Sequence, residues 1–176
     1  MNQASKTSNA LAAVALVLLT SLVALAPATF AAEDQPKLKA LPADLALTLL
    51  DSGATLRKGD LGGKVLVLQF FASWCVGCGD LMAKLAPAAA GSGRFLPVSV
   101  DETVAAAQGY FKSQPEAVKP LQAVAALDPE AKLAAALGVR AMPSIVIVGA
   151  DGKVRGMFSG HPDAAEMAKI KALMVP

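Results

Sequence analysis

The chain has 176 residues, a length that suits one globular domain behind a leader segment. Its 16 lysine and arginine residues nearly balance 14 acidic residues. The chain therefore lacks the large positive charge that is typical of nucleic-acid-binding proteins. Two cysteines and one histidine are too few for a structural zinc site, which takes four ligands.

The N-terminal segment is apolar. No charged side chain lies between Lys6 and Glu33, and residues 10–26 form an almost unbroken apolar run. Small residues stand near the end of the segment, where signal peptidases cut. We therefore predict a signal peptide at residues 1–31. The alternative is an uncleaved membrane anchor over residues 10–26, because about 17 to 25 apolar residues can span a bilayer.

Both alternatives predict an exported domain, periplasmic or otherwise outside the cytoplasm. Residues 32–42 hold two prolines and show no periodicity, so they are predicted to be a linker. The folded domain is expected at residues 43–176. Both cysteines lie within it, and in an oxidising compartment they form a disulfide unless a partner reduces them.

In the first half of the domain, the sequence pattern predicts a hairpin, a buried strand and a helix. Alternating leucines predict a strand at residues 45–50 that pairs with residues 54–56. The apolar run at residues 65–71 is typical of a strand buried on both faces. Apolar residues at helical spacing predict a helix over residues 76–89, which Pro87 is expected to bend or end.

The second half continues this alternation. Its predicted elements are a strand at 95–100, a helix at 103–113, a short strand at 122–127, a helix at 128–137, strands at 144–148 and 153–159, and a helix at 163–174. Asp128 is expected to start its helix and Gly138 to end it. The pattern predicts an α/β domain, a mixed central sheet flanked by helices.

The two cysteines stand where the buried strand ends and the first helix begins. Unpaired backbone N–H groups and the helix dipole favour a negative charge there, so a thiolate is stabilised. Cys75 comes first and is expected in an exposed turn, while Cys78 is expected to be partly covered in the first helical turn. Their spacing lets one sulfur reach the other, which predicts a redox-active pair.

Two other interpretations of the pair stay open. It could be a structural disulfide, although a loop of about four residues gains only roughly 2 kcal/mol in the chain-entropy model. It could instead bind a soft metal such as copper(I), with Met142 as a further ligand and no enzyme activity.

The stretch Phe-Phe-Ala-Ser-Trp-Cys-Val-Gly-Cys at residues 70–78 resembles the active-site segment of thioredoxin-like proteins. It is most similar to the exported TlpA/ResA-type thiol:disulfide oxidoreductases. The resemblance extends over residues 43–173 and includes Gly-Val-Arg-Ala-Met-Pro at residues 138–143. It implies a thioredoxin-like fold with an N-terminal β-hairpin, and an enzyme whose redox group is the Cys75–Cys78 disulfide, without a separate cofactor.

The resemblance also implies partners. It predicts a monomer that reduces disulfides in exported proteins, such as apocytochrome c or copper-site proteins, and that receives electrons from a membrane donor. Copper-delivery relatives on this fold space their cysteines more widely and add a histidine, which favours the enzyme over the metal binder.

Three residues are implied to bind the partner protein. Pro143 would be a cis-proline facing the sulfurs, which frees the backbone of Met142 to pair with an extended peptide. Trp74 would shape the docking surface beside the nucleophile. Without the resemblance, Pro143 would only mark the start of a strand and Trp74 would be a core aromatic.

Some positions depart from the family pattern. Gly77 stands where many relatives have proline, and Gln69 stands where thioredoxins have a buried acid that transfers protons. Since glutamine cannot exchange a proton, water or another carboxylate must accept it, and Glu102 and Asp80 are the candidate carboxylates. His161, the only histidine, is predicted to be a solvent-exposed loop residue and neither a metal ligand nor a base.

Overall fold

The structure is a computed structural model that describes residues 40–175. The predicted signal peptide and most of the predicted linker lie outside the described residues. Ala40 forms a β-bridge with Lys153, and Leu41 is buried against the domain. The packed domain therefore includes these residues, which precede its predicted boundary. Between residues 40 and 175, no helix has the length and apolar character needed to cross a membrane.

The described residues alternate between strands and helices. In chain order the elements are β1 (Ala46–Leu49), β2 (Thr55–Arg57), β3 (Val65–Phe71), α1 (Cys78–Ala90), β4 (Gly93–Ser99), α2 (Val104–Lys112), β5 (Ala126–Leu127), α3 (Lys132–Leu137), β6 (Ser144–Val148), β7 (Val154–Ser159) and α4 (Ala164–Leu173). Two short 3-10 helices, Lys58–Leu61 and Lys119–Val124, precede β3 and β5.

All strands belong to one mixed sheet in the order β2-β1-β5-β4-β3-β6-β7. β3 pairs in parallel with β4 and β4 in parallel with β5, while the remaining neighbours are antiparallel. The β1–β2 hairpin forms one edge. This architecture confirms the predicted mixed sheet, its flanking helices and the N-terminal hairpin.

The central strand β3 is buried over its whole length. One face of β3, with Val65, Val67 and Phe71, packs under α1, α2 and α4. The other face packs against α3 and the hairpin. Covering on both faces explains why apolar residues fill every position of the strand except Gln69, rather than every second position. It also means that the carboxyl end of β3, where the cysteines follow, is held by the core.

Helix α1 differs from its prediction at both ends. It begins at Cys78 rather than at Val76, because Gly77 has a left-handed backbone with φ of 82°. It also continues through Pro87 to Ala90, so the prediction that Pro87 could end it is wrong. A proline removes one backbone hydrogen bond, and buried residues on both sides of it, including Leu85 and Ala89, hold the last turn against the sheet.

Helix α3 starts later than predicted, at Lys132. Asp128 nevertheless caps it, since its buried carboxylate accepts hydrogen bonds from the backbone N–H groups of Leu133 at 3.2 Å and Ala134 at 2.9 Å. The side chain therefore acts across an intervening turn, and the predicted capping residue is the right one.

Candidate active site

The CxxC turn, residues 75–78, connects the end of β3 to the start of α1. Its two cysteines form a disulfide, with their Cα atoms 5.7 Å apart. Cys78 is the first residue of α1 and is fully buried, whereas Cys75 is 5% exposed. Cys75 lies in a turn as predicted, but its expected exposure is wrong, because the bonded side chains pack into the core. Exposed side chains flank it, with Trp74 at 68% and Val76 at 90%.

The carboxylate of Asp101, which is buried, forms hydrogen bonds with Ser73, the residue before Trp74. Asp101 accepts a hydrogen bond from the backbone N–H of Ser73 at 3.0 Å and from its hydroxyl at 2.7 Å. The Ser99 hydroxyl donates to the other carboxylate oxygen at 2.7 Å. Because β3 and β4 are parallel, their carboxyl ends lie at the same end of the sheet, and Ser73 and Asp101 follow these two ends. The neighbouring Glu102, which the sequence suggested as a proton acceptor, is exposed.

We expect Asp101→Ala to destabilise the domain by about 2 to 3 kcal/mol, because Ser73 and the buried Ser99 hydroxyl would lose a charged hydrogen-bond acceptor. Thermal or urea unfolding of the oxidised protein measures this change. Glu102→Ala is the matched control, since it removes the adjacent exposed carboxylate and should change stability little. Equal losses in the two variants would contradict the anchoring role of Asp101.

Gln69 in β3 contacts the backbone of the second cysteine. It is fully buried, and its amide nitrogen donates to the backbone carbonyl of Cys78 at 2.9 Å. Within residues 40–175, its Oε1 has no hydrogen-bond partner. Gln69 therefore fixes the first residue of α1 through a hydrogen bond, but its amide cannot take up a proton. Asp80, one of the acceptors suggested by the sequence, lies in the first turn of α1 and is exposed.

A cleft of about 330 Å³ opens beside the CxxC turn. It reaches from Trp74 and Cys75 to the end of α2, where Tyr110 and Gln114 line it. Burial raises the pKa of Tyr110 above its ordinary value of 10.0. A hydrogen bond with the backbone of Gly79 opposes this rise, and the Asp80 carboxylate adds to it.

The raised pKa of Tyr110 predicts a pH dependence of folding. The folded state favours the neutral phenol, so its contribution is present below pH 10 and is lost as the pH rises through the folded-state pKa. We expect the unfolding free energy of the wild type to fall more steeply above pH 10 than that of Tyr110→Phe. Parallel urea titrations of both proteins from pH 8 to about pH 11.5 test this, and identical slopes would contradict it.

The Met142–Pro143 loop lies before β6. The peptide bond between these residues is cis, as the resemblance implies. Met142 is half-buried and packs against the core cluster that contains both cysteines. Pro143 accepts a hydrogen bond at its carbonyl from the Gly160 N–H at 2.8 Å. Trp74 is mostly exposed, which excludes the alternative that it is a core aromatic.

His161 lies in a loop and is exposed, as predicted. Its imidazole, however, rests on Gly77 within the CxxC turn. A Cβ atom added to Gly77 would lie 2.5 Å from Cε1 and 3.1 Å from Nε2 of the ring. Sequence reasoning missed this contact, and the only signal for it was a glycine inside the turn. In the part of the chain that the structure describes, no three His, Cys, Asp or Glu side chains group as a metal site.

A CxxC turn between a central strand and a helix, on a mixed sheet covered by helices on both faces, defines the thioredoxin-like class of proteins. Within that class, the Redoxin family model matches residues 33–173, and the chain belongs to this family. It is a thiol:disulfide oxidoreductase whose active pair is Cys75 and Cys78. No curated protein matches the chain significantly in sequence.

Similar solved structures agree with this assignment. A Chlorobium tepidum protein assigned as the thiol:disulfide interchange protein DsbE is 25% identical, with coverage of 78% of this chain and 96% of that chain and a TM-score of 0.64. An exposed lipoprotein thioredoxin of Streptococcus pneumoniae is 25% identical over 74% of this chain and 98% of that chain, with a TM-score of 0.60. A secreted disulfide oxidoreductase of Mycobacterium tuberculosis shares the fold at 23% identity, with coverage of 75% and 95% and a TM-score of 0.58.

Proposed function

We propose that this protein reduces disulfides in exported partner proteins, with Cys75 as the attacking thiolate and Cys78 as the resolving thiol. The unequal placement of the two cysteines carries the proposal. Cys75 lines the open cleft beside Trp74, whereas Cys78 is fully buried in the first turn of α1. A partner sulfur can therefore approach Cys75 and not Cys78.

The reaction then proceeds in two exchanges. The Cys75 thiolate attacks one sulfur of the partner disulfide, so a mixed disulfide forms and the other partner sulfur leaves and takes up a proton. Cys78 loses its proton and attacks the Cys75 sulfur, which releases the second partner sulfur as a thiol. Two electrons and two protons pass to the partner. Gln69 cannot receive the Cys78 proton, so solvent or an exposed carboxylate takes it.

Partner docking is proposed on the surface around the turn. Trp74 and Val76 are large apolar side chains that stand exposed beside Cys75. Met142 and Pro143 are proposed to complete this surface, because the resemblance implies that an extended peptide pairs with the backbone of Met142. Exposed apolar groups next to a reactive centre are typical of protein-binding surfaces.

An exported location is proposed from the apolar leader and the relatives. Residues 1–31 fit a signal peptide, with residues 10–26 as an anchor if it is retained. One similar structure is of a secreted protein and another of an exposed lipoprotein. A membrane donor that keeps the pair reduced, and a monomeric state, belong to the same proposal, as does maturation of cytochrome c or copper proteins.

Reduction of insulin disulfides by the full chain, with and without a copper chelator, tests the activity. We expect turnover that is indifferent to the chelator. Chelator-dependent behaviour, or copper binding without turnover, would support the metal-binding alternative instead. Equilibration with glutathione measures the reduction potential, and the direction follows because a reductant needs a potential below that of the partner disulfide.

A further inference from the structure

We propose that His161 is a positioning residue for the reaction: its ring contacts the CxxC turn at Gly77, and a positive charge on that ring stabilises the Cys75 thiolate of the reduced protein. The inference rests on the proposed function, because it assigns the charge partner of the attacking sulfur. It concerns a residue that the sequence alone placed in solvent with no role.

The imidazole occupies the volume that a side chain at Gly77 would otherwise fill. The position of a Cβ on Gly77 is 2.5 Å from Cε1, 3.1 Å from Nε2 and 3.5 Å from Nδ1 of His161. These three atoms form the Nδ1–Cε1–Nε2 edge of the ring, so the ring contacts the turn at Gly77 through the edge that carries both nitrogens. Gly77 lies between the two cysteines in sequence, so the ring contacts the backbone segment that joins them.

The backbone on both sides of His161 is held in place. The Gly160 N–H donates to the Pro143 carbonyl at 2.8 Å, which ties the loop to the proposed docking surface. On the other side, Asp163 and Glu166 form a capping box at the start of α4, with hydrogen bonds of 2.8 and 3.0 Å. These hydrogen bonds fix the loop that carries His161, and so fix the position of the imidazole at the CxxC turn.

The charged groups near the CxxC turn are compatible with a positive charge on His161. Charged groups on the surrounding elements are Asp80, Asp101, Arg140, Asp163 and Glu166. The first turn of α1 carries an acid, Asp80, and Gln69, which contacts the backbone of Cys78, is neutral. The ion pairs found among residues 40–175 do not include His161. Histidine ordinarily changes charge between about pH 5 and pH 8. A protonated imidazole here adds positive charge where the helix dipole already favours a thiolate.

The consequence is a thiolate that persists at lower pH. The Cys75 sulfur attacks as the anion, so any group that favours the anion raises the reactive fraction in mildly acidic surroundings. His161 exchanges no bond in this step. It acts through the charge of the attacking sulfur, and the bonds that form and break are those of the disulfide exchange.

The test is the pH profile of Cys75 alkylation by iodoacetamide in the reduced full chain, with the labelled peptide identified by mass. For His161→Gln we expect the midpoint to move to higher pH, with the rate at pH 6 reduced about three- to tenfold. His161→Lys should keep the wild-type rate, because it restores a positive charge. Lys169→Gln is the matched control, since it removes one exposed positive charge from α4 away from the turn.

An unchanged profile in His161→Gln would overturn the proposal. Equal slowing in His161→Gln and His161→Lys would also overturn it, because the ring would then act by packing and not by charge. The proposed function has a separate readout, the trapping of partners by Cys78→Ser. If trapping succeeds while the His161 variants behave as wild type, only this inference fails; if trapping fails, the proposed function fails.

Discussion

Replacing Cys78 with serine is expected to trap partner proteins as mixed disulfides, whereas replacing Cys75 with serine should abolish both trapping and turnover. Cys75 alone lines the cleft, so it alone can attack a docked disulfide. Without Cys78 the second exchange has no attacking sulfur, and the intermediate accumulates. The fully buried Cys78 cannot replace Cys75, because no partner sulfur reaches it.

Non-reducing gels of extracts that contain each variant measure the effect as heavier bands that dithiothreitol removes. The Cys75→Ser protein is the control, because it retains one thiol and the same fold. Cys75 should also alkylate faster than Cys78 at mildly acidic pH, since the helix start stabilises its thiolate. Equal trapping by the two variants, or equal and slow alkylation, would contradict the assigned roles. A structural disulfide or a metal site would show neither asymmetry.

Gly77→Pro is expected to shift the reduction potential by at least about 30 mV, which corresponds to about 1.4 kcal/mol for this two-electron couple. Gly77 has φ of 82°, and proline is restricted to φ near −65°. The turn must therefore change its backbone, and a substituent on Gly77 would also collide with His161. We expect an accompanying loss of stability of about 3 kcal/mol or more.

Equilibration of each variant with glutathione measures the potential, and urea unfolding measures the stability. Gly63→Pro is the matched control, because Gly63 has the same φ of 82° and lies before β3, away from the turn. It should lose stability while its potential stays at the wild-type value. A potential that is unchanged in Gly77→Pro, or that shifts equally in both variants, would show that Gly77 does not tune the site.

The elements that position the cysteines could be predicted because their signals are local. β3 is found at the predicted residues 65–71, since a strand covered on both faces is apolar at nearly every position, here at all but Gln69. The end of that strand and the helical spacing after it placed Cys78 at the start of α1. Element ends were less accurate: a left-handed Gly77 moved the start of the helix, and core packing carried the helix past Pro87.

By itself, then, the sequence determined the α/β class, the strand–turn–helix unit and the redox pair, because each depends on neighbours within a few residues. Only the tertiary structure decided which distant groups meet that pair. Asp101 reaches Ser73 through the parallel pairing of two strands, Gln69 braces Cys78 from the core, and His161 comes to Gly77 from the loop after β7. Such contacts depend on how strands and loops pack in space, and that information has no periodicity along the chain.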